Sequence, residues 1–345
     1  MSQLWQNTPF YRIGRLYVDA CIRSSFNSIK VFGRENVPSG SAVIFAANHT
    51  NTLMDPLVIL QDNKGPICFG CRSDIFTGRL AARILHELKI VPLARQRDGV
   101  QALKDNFGVF DQVTDLLAHK VPFTIFPEGT HRPMHSLMPM KKGVCRIAFQ
   151  ACEDCDLPVY IVPVGIDYED FFRFQRSVTI KYGEPIDVRN VLAEYDNEQT
   201  AMHALTDLLY ARIAGLITYF PDDAGYEKAW RRHLKKLRPK RDWVQKLFRG
   251  FAAVVAVPLL VIFAILGFLF WVPAEILISR LKDKAWSNTI RFAVILACLP
   301  LQLAINGIAA FSLLPPAGGA AVLLLTAVAG PMFYRTLNYL NDIIK

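Results

Sequence analysis

Between Ser41 and about Phe220, short apolar runs alternate with longer amphipathic stretches. The runs 41–47, 66–71, 90–93, 121–126, 158–165 and 177–183 have strand length. The stretches 56–62, 75–89, 99–118, 142–154 and 198–219 repeat apolar residues at helical spacing. Strands alternating with helices predict an α/β fold: a mixed, largely parallel sheet flanked by helices. Open sheets of that kind place their sites beyond strand ends.

The pattern differs on either side of this region. Residues 4–32 interleave Trp5, Phe10, Ile13, Leu16 and Ile22 with Arg12, Arg15, Arg23 and Lys30. That spacing predicts a pair of helices, and it suits a membrane surface as well as packing on the domain. Phe251 to Trp271 is uncharged and long enough to cross a bilayer. Phe292 to Leu314 is a second candidate despite Gln302 and Asn306. After the turn Pro315–Gly319, Ala320 to Phe333 is a short third. Two or three spans are expected, the last two as a hairpin followed by Met1-distal C-terminal tail residues 336–345. Basic residues lie on both sides of 251–271, with Arg280, Lys282, Lys284 and Arg291 behind it. This conflicts with a simple crossing under the positive-inside rule, so a re-entrant or kinked segment bent at Pro258 is the alternative.

Charge sharpens the division. The chain of 345 residues carries a net +9. Lys228 to Arg249 holds ten Lys or Arg against one acid, Asp242, and so accounts for the whole of it. No nucleic-acid motif accompanies this run, so no nucleic-acid partner is expected; its position beside an apolar segment favours anionic lipid. The layout is then 1–35 amphipathic helices, 36–225 α/β domain, 226–250 basic juxtamembrane segment and 251–335 membrane region. Seven cysteines, an odd number, do not form a secreted disulfide framework. Met1 to Gly14 lacks the apolar core of a signal peptide. A domain facing a reducing cytosol is expected.

The candidate chemistry starts at Asn48–Pro56. Asp55 reads as an N-cap and Pro56 as the first helical residue, which makes His49 to Asp55 a turn. A turn can join an imidazole to a carboxylate six positions away, whereas a helix or strand would hold them apart. An imidazole so oriented is a general base for a hydroxyl. A capping Asp with an unrelated His nearby fits the same residues.

A second stretch follows another apolar run: Phe126-Pro127-Glu128-Gly129-Thr130-His131-Arg132, with Lys141-Lys142-Gly143 beyond it. Together with Ile90–Arg95 and Val162-Pro163-Val164, these motifs resemble, in content and order, the glycerophosphate acyltransferase family. The resemblance covers about residues 1–220. It implies His49 as base, Asp55 as the group holding its tautomer, Arg95 as a phosphate ligand, and Glu128, Gly129 and Thr130 shaping the acceptor site. Arg132 and Lys142 are further substrate candidates, with solvated surface charge as the other reading of each; Arg72 and Arg97 stand alike. Five residues separate His49 from Asp55 where most members have four, a spacing closer to a fungal branch that acylates glycerol 3-phosphate or dihydroxyacetone phosphate. His131 stands where many members have arginine.

The activity so implied is transfer of a fatty acyl group from an acyl-coenzyme A or acyl carrier protein thioester to glycerol 3-phosphate or 1-acylglycerol 3-phosphate, in phospholipid synthesis. Amino-terminal helices would help dock the domain on the bilayer, on the cytoplasmic face of a bacterial inner membrane. The thioester is already activated, so neither cofactor nor metal is expected. The pairs Cys68/Cys71 and Cys152/Cys155 are too widely separated for a zinc ribbon. Nucleophile-elbow, phosphate-loop and dinucleotide motifs are absent from the sequence. Acylation of another lysophospholipid or an aminoacyl lipid would use the same residues. A non-catalytic lipid-binding protein on this fold is the remaining alternative, and the intact motif set argues against it.

Overall fold

A computed structural model describes residues 3–94, 100–237 and 243–344. Its centre is β2 (Ala42–Ala47), whose six residues are all buried. An uninterrupted apolar run suits a strand covered on both faces. β2 pairs in parallel with β5 (Phe123–Ile125) on one side and β6 (Val159–Tyr168) on the other. Beyond β5 lie β3 (Cys68–Arg72) and the edge strand β4 (Ile90–Leu93), also parallel. Beyond β6 lie the antiparallel β7 (Val178–Tyr182) and then β1 (Ile29–Phe32), parallel to β7. The order is β1-β7-β6-β2-β5-β3-β4, with β8 (Ile186–Asp187) paired to the start of β6. The sheet is mixed and largely parallel, as the alternation predicts.

The two-residue period of a strand sorts β2 between two cores. Ala42, Ile44 and Ala46 join residues of α4 (Val100–Ala118), α5 (Gly143–Asp154) and α7 (Glu198–Leu216), among them Leu116, Ile147 and Leu205. Val43, Phe45 and Ala47 join Ile22 of α1 (Pro9–Ser25) and Val58 of α2 (Met54–Asp62). The second core also takes in Phe270, Phe292 and Phe333 from the apolar carboxy-terminal region. That region is therefore packed on the sheet. The short α3 (Gly78–Glu87) links β3 to β4, and α6 (Val188–Ala193) follows β8.

The amino terminus departs from the expected helix pair. α1 is capped by Thr8, which accepts from the Tyr11 N–H, and is followed by β1 in place of a second helix. Ile29-Lys30-Val31-Phe32 alternates in a strand period, and β7 offers it a ladder. Gly33 ends the strand at φ 72°, where a Cβ would meet the Tyr182 carbonyl at 2.1 Å.

The apolar region also departs. α8 (Tyr226–Leu237) is followed by α9 (Trp243–Leu266), α10 (Phe268–Ser279), α11 (Ser287–Leu313) and α12 (Pro316–Ile344). Three of the helices among the described residues are long and apolar enough to cross a membrane, in α9, α11 and α12; α10 is shorter. The expected segment 251–271 is broken at Gly267, while Pro258 lies inside α9. A Cβ on Gly267 would crowd Ala329 and the Phe263 carbonyl at 3.1 Å.

At the break the chain reverses. Arg249, early in α9, donates to the Asp342 carbonyl near the end of α12. The far end of α9 touches the middle of α11, where Asn306 Nδ2 donates to the Leu266 carbonyl at 2.8 Å. α10 then returns along α11, and its Glu275 pairs with Arg291 at 2.8 Å. Arg291 and Asn306 are separated by about 22 Å of helix. The start of α9 and the end of α10 thus lie toward the α/β domain. Two groups freed by the break are met by side chains: Gln302 accepts from the Leu269 N–H, and Asn306 bonds Leu266 and Thr326.

Candidate active site

The register of β2 and β5 brings the two polar motifs together. Ala46 pairs with Ile125, so three residues further on His49 and Glu128 leave adjacent strands side by side. The His49 N–H donates to Glu128 Oε1 at 2.8 Å, and the Arg132 N–H donates to the His49 carbonyl at 3.0 Å. The two loops are one structure.

Within the first loop the chain turns as predicted, and His49 Nδ1 lies 2.7 Å from Asp55 Oδ2. The same oxygen accepts from the N–H groups of Thr50 and Asn51 at 2.7 and 2.8 Å. Asp55 is fully buried. One detail differs from expectation: α2 starts at Met54, so Asp55 belongs to its first turn and does not cap it. The carboxylate reaches back to the turn before the helix. Pro56 is tolerated there because first-turn N–H groups have no intrahelical partner. Thr52 sits at φ 46°, unusual for a β-branched residue, and its hydroxyl bonds that of Thr289 in α11. Asp55 fixes the proton on His49 Nδ1 and leaves Nε2 as the basic nitrogen. Phe126 stacks on the ring at 4.5 Å between centroids. Tyr168 is fully buried, and burial, then the Asp55 charge, push its phenol well up.

Glu128 is 3% exposed and accepts from two backbone groups, His49 N–H and Met138 N–H. Burial pushes its carboxyl up, partly offset by those bonds. Its role in this structure is to join two loops. Gly129, at φ 71°, turns the chain by donating to the Phe126 carbonyl. Thr130 beside it is exposed.

The other candidates are placed differently. Arg132 forms an ion pair with Asp222 and donates to Ser136. Lys142 turns to α7, bonding Gln199 and His203 on the wall of an open cavity of about 450 Å³ that Tyr210 also lines. Arg72 pairs with Asp74. Arg95 and Arg97 lie outside the described residues; β4 ends at Leu93, at the same end of the sheet from which the chain leaves β2 and β5 toward His49 and Glu128. Sequence reasoning missed His131 as a neighbour of His49. Its ring stands edge-on to His49 at 5.7 Å, and its Nε2 lies 3.1 Å from Asp283, between α10 and α11. A partner 152 residues away leaves no local signal.

Comparison with known proteins gives this geometry a context. Residues 28–167, which carry β1 to β6 and both loops, match the family model described as Acyltransferase. Residues 28–167 are an acyltransferase-family domain. Glycerol-3-phosphate O-acyltransferase 1 of Saccharomyces cerevisiae is 31% identical over 144 residues, which are 41% of this chain and 19% of that protein. Mouse 1-acyl-sn-glycerol-3-phosphate acyltransferase alpha is 26% identical over 148 residues, 42% of this chain and 47% of that one. The chain therefore spans less than half the length of these relatives. The crystal structure of the 1-acyl-sn-glycerophosphate acyltransferase PlsC from Thermotoga maritima aligns with 67% of this chain and 81% of its own, at 22% identity and a TM-score of 0.44. In the acyltransferase domain described here, the His49–Asp55 dyad and Glu128 occupy the matched segment, and the apolar helices lie outside it.

Proposed function

We propose that the protein is a membrane-bound O-acyltransferase that esterifies a hydroxyl of glycerol 3-phosphate or 1-acylglycerol 3-phosphate. The observation that carries this reading is the His49 Nδ1 to Asp55 Oδ2 contact of 2.7 Å beside a buried Glu128. His49 Nε2 would take the proton of the acceptor hydroxyl as its oxygen attacks the thioester carbonyl carbon. Collapse of the tetrahedral adduct would break the C–S bond, and the leaving thiolate would recover the proton from His49. The products are an ester and a free thiol. The donor is acyl-coenzyme A or acyl-acyl carrier protein. Arg95 would hold the acceptor phosphate through paired hydrogen bonds. Glu128, Gly129 and Thr130 would border the acceptor. Arg132, paired with Asp222, and Lys142, on the α7 cavity, would reach substrate only by leaving those partners.

The apolar helices associate the protein with a membrane. We infer that the acyltransferase domain lies on the cytoplasmic face of a bacterial inner membrane, where thioester donors and glycerol phosphates are found. Purified protein assayed with glycerol 3-phosphate, dihydroxyacetone phosphate and lysophosphatidic acid, each against both donor types, tests the reading. Transfer to the first two would place the enzyme at the first acylation, and transfer to lysophosphatidic acid at the second. Folded protein that acylates none of them would contradict it.

A further inference from the structure

The link between α10 and α11 reaches the candidate active site. Asp283 Oδ2 lies 3.1 Å from His131 Nε2, and its Oδ1 accepts from the Ala285 N–H at 2.9 Å, so both oxygens are engaged. Trp286 stands edge-on to His131 at 5.7 Å, the separation at which His131 stands edge-on to His49. The first turn of α11 is tied to the domain through other contacts. Asn288 donates to the Phe171 carbonyl, Arg291 to the Phe172 carbonyl, and Thr289 meets the strained Thr52. These bonds hold the link in place without His131.

We propose that this link is a wall of the acceptor site, and that His131, oriented by Asp283, contacts the polar head of a glycerol phosphate beside His49. The inference rests on the acyl-transfer reading. A carboxylate on Nε2 keeps a proton there and leaves Nδ1, which has no partner among the described residues, for a ligand. The His131 side chain is 17% exposed, enough for one contact. An Nδ1 without a proton is an acceptor, so the group it meets is a hydroxyl of glycerol 3-phosphate other than the one His49 deprotonates. Asp283 is a positioning residue that acts through His131.

Asp283→Asn separates these roles. Its amide oxygen can still accept from Ala285, while its NH2 group replaces the acceptor that faces His131 and reverses which ring nitrogen carries the proton. The KM for glycerol 3-phosphate is expected to rise about tenfold, with kcat and the donor KM within about twofold. Asp283→Glu is expected to restore the KM. His131→Asn is expected to give a similar rise, and the double variant no more than either single one. Unchanged acceptor KM in both single variants, or additive rises, would overturn the proposal. If the wild type transfers no acyl group, calorimetric titration with glycerol 3-phosphate decides instead: binding weakened by Asp283→Asn supports the wall, and equal or absent binding overturns it.

Discussion

His49 can act as a base only while its ring is held, and a single oxygen of Asp55 holds both the ring and the turn that carries it. In Asp55→Asn the amide oxygen can take the place of this oxygen, but it meets the three N–H groups without the negative charge that holds the ring and would stabilise its protonated form. Activity is expected to fall by about two to four orders of magnitude, read from steady-state rates in protein with an unchanged melting temperature. A fall of less than tenfold would show that the carboxylate does not orient the base. Glu128 raises a similar question about its two backbone donors. Much of this was legible in the sequence, because Asp-Pro at the head of an apolar helix requires a turn behind it. Arg132 was not: its partner, Asp222, is brought up by the chain after α7, and no local pattern carries that information.

Elements are also joined by buried polar groups. His135, 5% exposed, pairs with Asp167 of β6 at 3.2 Å, and Thr218 donates to the same carboxylate. Burial raises the Asp167 carboxyl, but the bonds from His135 and Thr218 outweigh it and hold it below its usual 3.8. A lowered acid stabilises the fold at pH above the unfolded value, and that contribution is lost as the pH falls through the folded one. Asp167→Asn is expected to flatten the acid limb of the stability curve, measured by urea unfolding between about pH 2 and 5; an unchanged limb would deny the pair this role. At the α9–α10 break, Gln302→Leu leaves the Leu269 N–H without its partner and is expected to cost about 1–2 kcal/mol in detergent unfolding. Strand positions were legible from apolar runs of strand length. β1 was not, because its four residues continue the apolar spacing of α1 and only β7 makes them a strand. The break at Gly267 was equally hidden, since Pro258 is the stronger local breaker and yet lies inside a helix.

For the whole molecule, the reversal at Gly267 removes the conflict between charge and topology. The basic residues of α8 and Arg249 in α9 lie on the same side as the link holding Arg280, Lys282 and Lys284 when α9 and α10 enter and leave together. In a cysteine-depleted background, single cysteines at the exposed Lys235 and Lys282 are expected to label from one face of a vesicle, and one at the exposed Ala317 in the first turn of α12 from the other. Lys282 labelling with Ala317 would mean that the α9–α10 segment crosses. The pattern of charges posed this problem in the sequence, but only the packing of α10 along α11 answers it. The same packing sets part of the second core against the sheet and brings the α10–α11 link to His131. On the proposed reading, catalysis and membrane attachment share one structure. The most direct test of that account is release of free thiol, with matching ester formation, from acyl-coenzyme A and glycerol 3-phosphate by the full chain in lipid nanodiscs, beside His49→Ala. The account predicts acceptor-dependent release by the wild type and a loss of at least about a hundredfold in the folded variant. Equal rates in the two proteins would contradict it.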